Sequence, residues 1–325
     1  MRKRGLKDVK RRNRQVILQA ILDSGKLSRV EIAQKTELAA STVSTLVSEL
    51  LEQRLLVESG SQITAGRSRT ELTLNPDYST VAVVEISRKG VGLNLFDMAL
   101  ESVEQRVLSQ WYLTGNELLE TIVRALTPLR SADRPLAGIG LLFQEDMRGS
   151  DFRVMYSTGF ASASITLKEA LMSEFRLPVA EDYAQVYTAS NALEAWDHSA
   201  SSIHIALGER VALTVIQQDA PVPIRGDFFD SASRYLEDLV PEQTDVEKLS
   251  GIIAILCMLF SIQAVFLSCD QDSGEGLDEK ISEQLKKRLS PQALPEVRLL
   301  LRRQTERCAV LYARRLRSDI LFNRG

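Results

Sequence analysis

The chain has 325 residues, 44% of them hydrophobic and 26% charged, with a formal net charge of −3. That length is long for one domain, and the apolar share supports packed cores and excludes a disordered chain. Residues 1–75 carry 14 Lys and Arg against 8 Asp and Glu, and the remainder carries 26 against 35. A basic head on an acidic body is the asymmetry expected when only the head meets a polyanion.

Residues 1–14 contain Arg2, Lys3, Arg4, Lys7, Lys10, Arg11, Arg12 and Arg14, opposed only by Asp8. They fit either a solvated, frayed terminus or a basic arm that adds phosphate contacts. A helix is predicted to end near Asp23, with Val16, Ile17, Ala20 and Ile21 on one stripe and Gly25 as its stop. Ser28 followed three residues later by Glu31 is a capping box and starts a second short helix, ending near Thr36. After the turn Glu37-Leu38-Ala39-Ala40, a third helix is predicted, capped by Ser41. Its apolar residues Val43, Leu46, Val47, Leu50 and Leu51 commit one face to a core. The other face opens with Ser41, Thr42, Ser44, Thr45 and Ser48, small hydroxyl side chains suited to base edges and phosphates at a helix N-terminus. Leu55–Glu58 and Thr70–Leu74 read as paired strands, and the loop between them, Ser59–Arg69, carries Arg67 and Arg69. Such a wing suits a narrow minor groove.

The stretches LSRVEIAQKTELAASTVSTLVSELLEQRLLVESG and TAGRSRTELTLNP resemble the head of the ROK regulators (repressors, open reading frames, kinases), in which a winged helix precedes a sugar-kinase-like domain. The resemblance covers about residues 13–76 and is most specific at Leu27-Ser28-Arg29, Ser41-Thr42-Val43-Ser44 and Ala65-Gly66-Arg67. It implies that Ser41, Thr42, Ser44 and Thr45 face the major groove and that Arg67 lies in the wing. With the residues around them, the expected DNA-binding set is Ser28, Arg29, Ser41, Thr42, Ser44, Thr45, Arg67 and Arg69.

Asn75-Pro76-Asp77 is a turn signal and gives the expected boundary between a head, 1–76, and a body, 77–325. In the body, Val81–Ile86, Val91–Phe96 and Ala137–Phe143 read as strands, 116–127 as a helix and Pro178–Ala180 as extended. Ala184–Ala195 reads as a helix, Ile203–Leu207 and Val211–Gln217 as strands around Gly208. The longest apolar run, Ile252–Leu267, contains Ser261 and Gln263 and falls short of the ~20 residues of a bilayer span. It reads as a buried helix feeding a core strand. An Arg-rich helix is expected from Pro295 to Leu316, its arginines forming either a second nucleic-acid surface or a solvated face that pairs with the acidic body. Strands and helices in this order predict a layered α/β domain.

The body also resembles the two-lobed, actin-like (ribonuclease H-like) fold of the ROK family. The resemblance implies that the turn after the first strand cradles phosphate, but here it reads Glu85-Ile86-Ser87-Arg88-Lys89. In LPVAEDYAQVYTASNALEAW, Asp182 falls at the position of the family's catalytic base, with Glu181 where the family has Asn. In IHIALGERVALTVI only Gly208 remains of the second phosphate turn, and Glu209 would repel phosphate. The family's Gly-Glu-x-Gly-His segment and its Cys-x-Cys-Gly-x-x-Gly-Cys zinc cluster have no counterpart. Cys257, Cys269, Cys308, His198 and His204 show no metal-ligand spacing. No cofactor, metal or kinase activity is therefore expected. Asp182 fits an effector-binding acid or a helix-capping residue. Trp111, Trp196 and Cys257 are expected to be packing residues.

The odd cysteine count and the lack of an apolar segment after the basic N-terminus predict a cytoplasmic protein off the membrane. The expected partners are double-stranded DNA, further copies of the chain (a dimer or tetramer) and a small-molecule effector. The expectation is an α/β regulator, a repressor, with a winged helix-turn-helix head. The alternative is a sugar kinase carrying a DNA-binding head.

Overall fold

A computed structural model describes residues 5–64, 67–144, 152–158, 161–184, 187, 201–207, 211–217, 220–221, 246–269, 276–301 and 308–323. The head opens with α1 (Leu6–Ser24), which stops at Gly25. Gly25 takes φ 75°, and its N–H returns to the Ile21 carbonyl. The short strand β1 (Leu27–Ser28) leads into α2 (Arg29–Thr36) and then α3 (Ala40–Glu52). A hairpin of β2 (Leu56–Thr64) and β3 (Arg67–Leu74) follows, with β1 on the far edge of β3. Ile17, Leu18 and Ile21 of α1, Ile32 of α2, and Val43, Leu46, Val47 and Leu50 of α3 share one core with Leu56 and Leu72 of the hairpin.

Of the basic N-terminal segment, residues 6–14 are helical, because α1 begins at Leu6; residues 1–4 lie outside the described residues. Two expectations for the head are corrected. The third helix begins one residue before Ser41: the Val43 N–H bonds the Ala39 carbonyl, and no side chain caps it. Most of the expected loop Ser59–Arg69 is strand, paired as far as Thr64 with Arg67, with a bulge between Glu58 and Gly60. Ala65 and Gly66 lie outside the described residues.

The body holds two five-stranded sheets. The first is built from β4 (Thr80–Ser87), β5 (Gly90–Asp97), β6 (Ser102–Ser109), β7 (Leu136–Phe143) and β10 (Val179–Tyr183), in the order β10-β7-β4-β5-β6. The second is built from β11 (Ser202–Leu207), β12 (Val211–Gln217), β13 (Ala220–Pro221), β14 (Ala264–Cys269) and β15 (Glu296–Leu301), in the order β13-β12-β11-β14-β15. In each, three strands run as an antiparallel meander and two more add in parallel beside the first. The two sheets thus repeat one topology, which is the two-lobed arrangement expected. A hairpin of β8 (Arg153–Thr158) and β9 (Ala161–Thr166) belongs to neither sheet.

The first sheet is covered on both faces. Ala82, Val84 and Ile86 meet α4 (Gly115–Leu126) and α5 (Leu167–Phe175). Val81 and Val83 face α8 (Cys308–Asn323). That double burial is why all eight residues of β7 are buried. Gly138 and Gly140 let α8 lie flat on β7: an added Cβ would stand 2.5 Å from Ile320 and 2.6 Å from Tyr312. In the second lobe, α6 (Val246–Phe260) and α7 (Leu277–Arg288) pack on Ile203, Ile205, Val265 and Leu267. The apolar run is thus a helix feeding a core strand. No helix among the described residues is long and apolar enough to cross a membrane.

The expected helix from Pro295 to Leu316 is in fact a strand, β15, followed by α8 from Cys308. Residues 296–301 pair in parallel with β14, a tertiary preference that local composition does not display. Strands β1, β6, β8, β9 and β13 and helices α5 and α7 were not anticipated.

Candidate nucleic-acid interface

The expected contact residues of the head lie on α2, α3 and the hairpin. Ser28 forms the predicted capping box: its Oγ accepts from the Glu31 N–H, and its own N–H donates to Glu31 Oε2 at 2.7 Å. Its hydroxyl also donates to Glu31, and the residue is 4% exposed. Ser28 therefore sets the start of α2 and offers no hydroxyl outward. Arg29 beside it is half-buried. A left-handed Glu37 (φ 57°) turns the chain from α2 into α3.

On α3, Val43, Leu46, Val47 and Leu50 are buried, which forces Ser41, Ser44, Thr45 and Ser48 outward, with Thr42 half-buried. The Thr45 hydroxyl donates to the Ser41 carbonyl at 3.0 Å, leaving its lone pairs as acceptors. Ser41, Thr42, Ser44 and Thr45 are thus gathered on the first turns of one helix. Arg67 and Arg69 sit on β3, opposite Thr64 and Gln62, at the distal end of the hairpin. Lys10 of α1 pairs with Glu49 of α3 at 2.7 Å. Sequence reasoning did not foresee that contact, since the residues lie 39 positions apart.

Asp182 occupies β10 and is 8% exposed. One carboxylate oxygen accepts from the Tyr183 N–H at 2.9 Å; the other accepts from the Tyr187 hydroxyl at 2.7 Å and from Arg315 Nη1 of α8 at 2.8 Å. Its charge is met by a guanidinium. Burial, together with the Asp182 carboxylate, pushes the Tyr187 phenol far above its ordinary range. Burial does the same to Tyr312 on α8. Glu85, Leu142 and Asp182 lie in register across β4, β7 and β10. Burial raises the Glu85 carboxyl above the usual range, against a lowering hydrogen bond from the Asn94 amide.

The arginines of α8 do not form a uniform solvated face. Arg315 is committed to Asp182, and Arg317, 8% exposed, donates to the Met98 carbonyl at 2.7 Å. Burial pushes the Arg317 guanidinium down to about 10. Arg302, Arg303 and Arg307 lie outside the described residues, as do His198, Trp196, Gly208, Glu209 and most of the expected helix after Ala184. Burial pushes the Cys257 thiol up to about 11, consistent with packing, whereas Trp111 is 76% exposed. Head and body meet where the Gln15 amide of α1 donates to the Phe322 carbonyl of α8 at 2.7 Å; at the junction, Asn75 donates to the Arg54 carbonyl within the head and Arg134 pairs with Asp77 within the body.

No family model matches the chain. It is 23% identical over 181 residues to the xylose repressors of Bacillus subtilis (strain 168) and Bacillus spizizenii, an alignment covering 53% of this chain and 46% of each relative. The chain thus spans about half the length of the curated relatives it matches. Among solved structures, a ROK family transcriptional regulator, a homolog of the E. coli MLC protein, superposes with a TM-score of 0.66 at 13% identity. That superposition covers 97% of this chain and 98% of the other. A ROK hexokinase from Thermus thermophilus matches with a TM-score of 0.51 at 13% identity, over 73% of this chain. The regulator's fold runs the length of this chain, head included, whereas the hexokinase accounts for only part of it; at 13% identity these likenesses establish the fold that the chain shares with both.

Proposed function

We propose that this chain is a cytoplasmic, sequence-specific, DNA-binding transcriptional regulator, a repressor, with a reading head at 1–76 and a non-catalytic body at 77–325 that senses and oligomerises. The hydroxyl face of α3 carries this reading: four small hydroxyl residues on the first turns of a helix whose opposite face is buried. In this reading Ser41, Thr42, Ser44 and Thr45 meet base edges and phosphates in the major groove, Arg29 meets the backbone, and Arg67 and Arg69 reach the minor groove from the hairpin. Ser28 acts indirectly, by fixing α2. A symmetric dimer or tetramer sets two such heads one DNA turn apart, about 34 Å. The curated relatives, both named as repressors, support the assignment.

The tied state of Asp182 supports a non-catalytic body. A general base must hold a free lone pair within about 3 Å of the proton it removes. Here three hydrogen bonds fall on the two carboxylate oxygens, one of them from Arg315, so about one acceptor site of four is left for a substrate proton. Asp182 instead marks the place where an effector hydroxyl would compete with Arg315 and Tyr187.

The test is gel shift of the full chain on duplexes selected by the protein from a random pool, over a salt series. Binding is expected to weaken steeply as salt rises. Arg67→Ala is expected to weaken binding about 5- to 100-fold with an unchanged Tm, on the scale of about 1–3 kcal/mol for a lost groove contact. The same preparation, given ATP and a panel of hexoses, is expected to release no ADP. Failure to enrich any duplex at low salt would overturn the proposal.

A further inference from the structure

We propose that the N-terminal half of α1 is a second DNA-contacting surface, a basic rail for the phosphate backbone beside the recognition face of α3. The inference rests on the DNA-binding reading above and extends it to residues outside the expected set.

The argument is one of helical register. In the C-terminal half of α1, the residues turned to the core are Ile17, Leu18 and Ile21. Followed back toward Leu6 in steps of three and four, the stripe through Ile21 and Ile17 continues through Arg14 and Lys10. The stripe through Leu18 continues through Arg14, Arg11 and Lys7. The face that is apolar where it is covered by the head therefore becomes cationic in the preceding turns. Lys7, Lys10 and Arg11 are exposed and Arg14 is half-buried. The opposite side at this level carries Asp8, Val9 and Arg12. A helix decorated only for solubility has no reason to gather its cations on the continuation of its core stripe.

The location of the stripe follows from Lys10, whose ammonium reaches Glu49. On α3, Glu49 stands one turn beyond Thr45 and two beyond Ser41, on the same line as the outward hydroxyls. At Lys10 the cationic stripe of α1 thus comes within ion-pair reach of the flank of the proposed recognition face. Lys10 is held by Glu49. Among the described residues, Lys7, Arg11 and Arg14 have no acid within ion-pair distance. Three unpaired cations along about 10 Å of helix, next to a face that reads bases, fit a run of phosphates.

The experiment compares the parent chain with Lys7→Gln/Arg11→Gln/Arg14→Gln, using full-length protein, a duplex selected from a random pool and a scrambled duplex of equal length. Affinity is measured by fluorescence anisotropy over a KCl series. Each lost phosphate contact flattens the slope of log K against log [salt] by about 0.9, so the triple variant is expected to flatten it by about 2 to 3. The loss is expected to be equal on both duplexes, leaving their affinity ratio unchanged, because phosphates carry no sequence information. Arg12→Gln, on the opposite side of α1, is expected to leave the slope in place. Should the triple variant lose helical signal, Lys7→Gln/Arg11→Gln, which spares half-buried Arg14, is expected to flatten the slope by nearly 2. Equal slopes in parent and folded variant would overturn the inference, as would a loss confined to the selected duplex or an equal effect of Arg12→Gln. A parent chain that binds neither duplex would instead overturn the function proposed above.

Discussion

Single side chains in this molecule are governed by whether burial is compensated. Ser28 gives up its hydroxyl to Glu31 and in return starts α2. Asp182, 8% exposed, has its buried carboxylate hydrogen-bonded by Arg315 and Tyr187. Glu85 is the uncompensated case: burial favours its protonated form, and the neutral Asn94 amide only partly opposes this. The sign of the pH effect follows. With its carboxyl raised above the unfolded value, the folded state holds a proton that the unfolded chain has released, so stability falls as pH climbs through and beyond the ordinary carboxylate range. Glu85→Gln keeps an oxygen for Asn94 and removes the titration. Its Tm is expected to exceed the parent's at neutral pH and to converge on it below about pH 4, where the parent's carboxyl is protonated in both states. Calorimetric scans across that range check this; a constant difference would mean that the charge is not what limits the site.

Elements divide by how local their causes are. The α1 stop at Gly25, the α2 start at Ser28 and the buried stripe of α3 were legible because capping, glycine punctuation and helical period act within a few residues. The first strand pair of each lobe and the strand β7 were legible from continuous apolar runs. The edge strand β6 was not, because only its pairing with β5 makes it a strand and its residues are mostly exposed. β15 was misread as helix for a related reason: its parallel partner lies across an intervening helix, and the arginines that follow the segment suggested a helical face. At the candidate site, the hydroxyl face of α3 could be read from spacing alone. The partners of Asp182 could not, since Arg315 lies 133 residues away. The two glycines of β7 show how a pair of elements fixes a residue type. Gly140→Ala would set a methyl against the Tyr312 ring on α8, and overpacking of this kind costs about 1–3 kcal/mol. A Tm lowered by several degrees, with secondary structure retained, is the expected result; an unchanged Tm would show that α8 can lift from the sheet without loss.

At the scale of the whole molecule, the two lobes repeat one strand order, yet their outer layers come from different parts of the chain. The second lobe is covered by helices that follow its own strands closely. The first lobe is covered on one face by α8, which arrives more than 160 residues after β7 ends. Bringing such distant segments together carries a loop-closure penalty that only the final packing offsets. A chain cut before Cys308 is therefore expected to lose hydrogen-exchange protection in β4 and β7, although both strands are intact; protection equal to the full-length protein would refute this. The same helix end receives the Gln15 hydrogen bond from α1. On a ribosome making residues in order, the grooves beside Gly138 and Gly140 stay empty and α1 stays unanchored until position 322 has emerged. A polypeptide made only as far as β15 would thus carry a head without that fastening, which a chain extended past position 322 gains through Gln15.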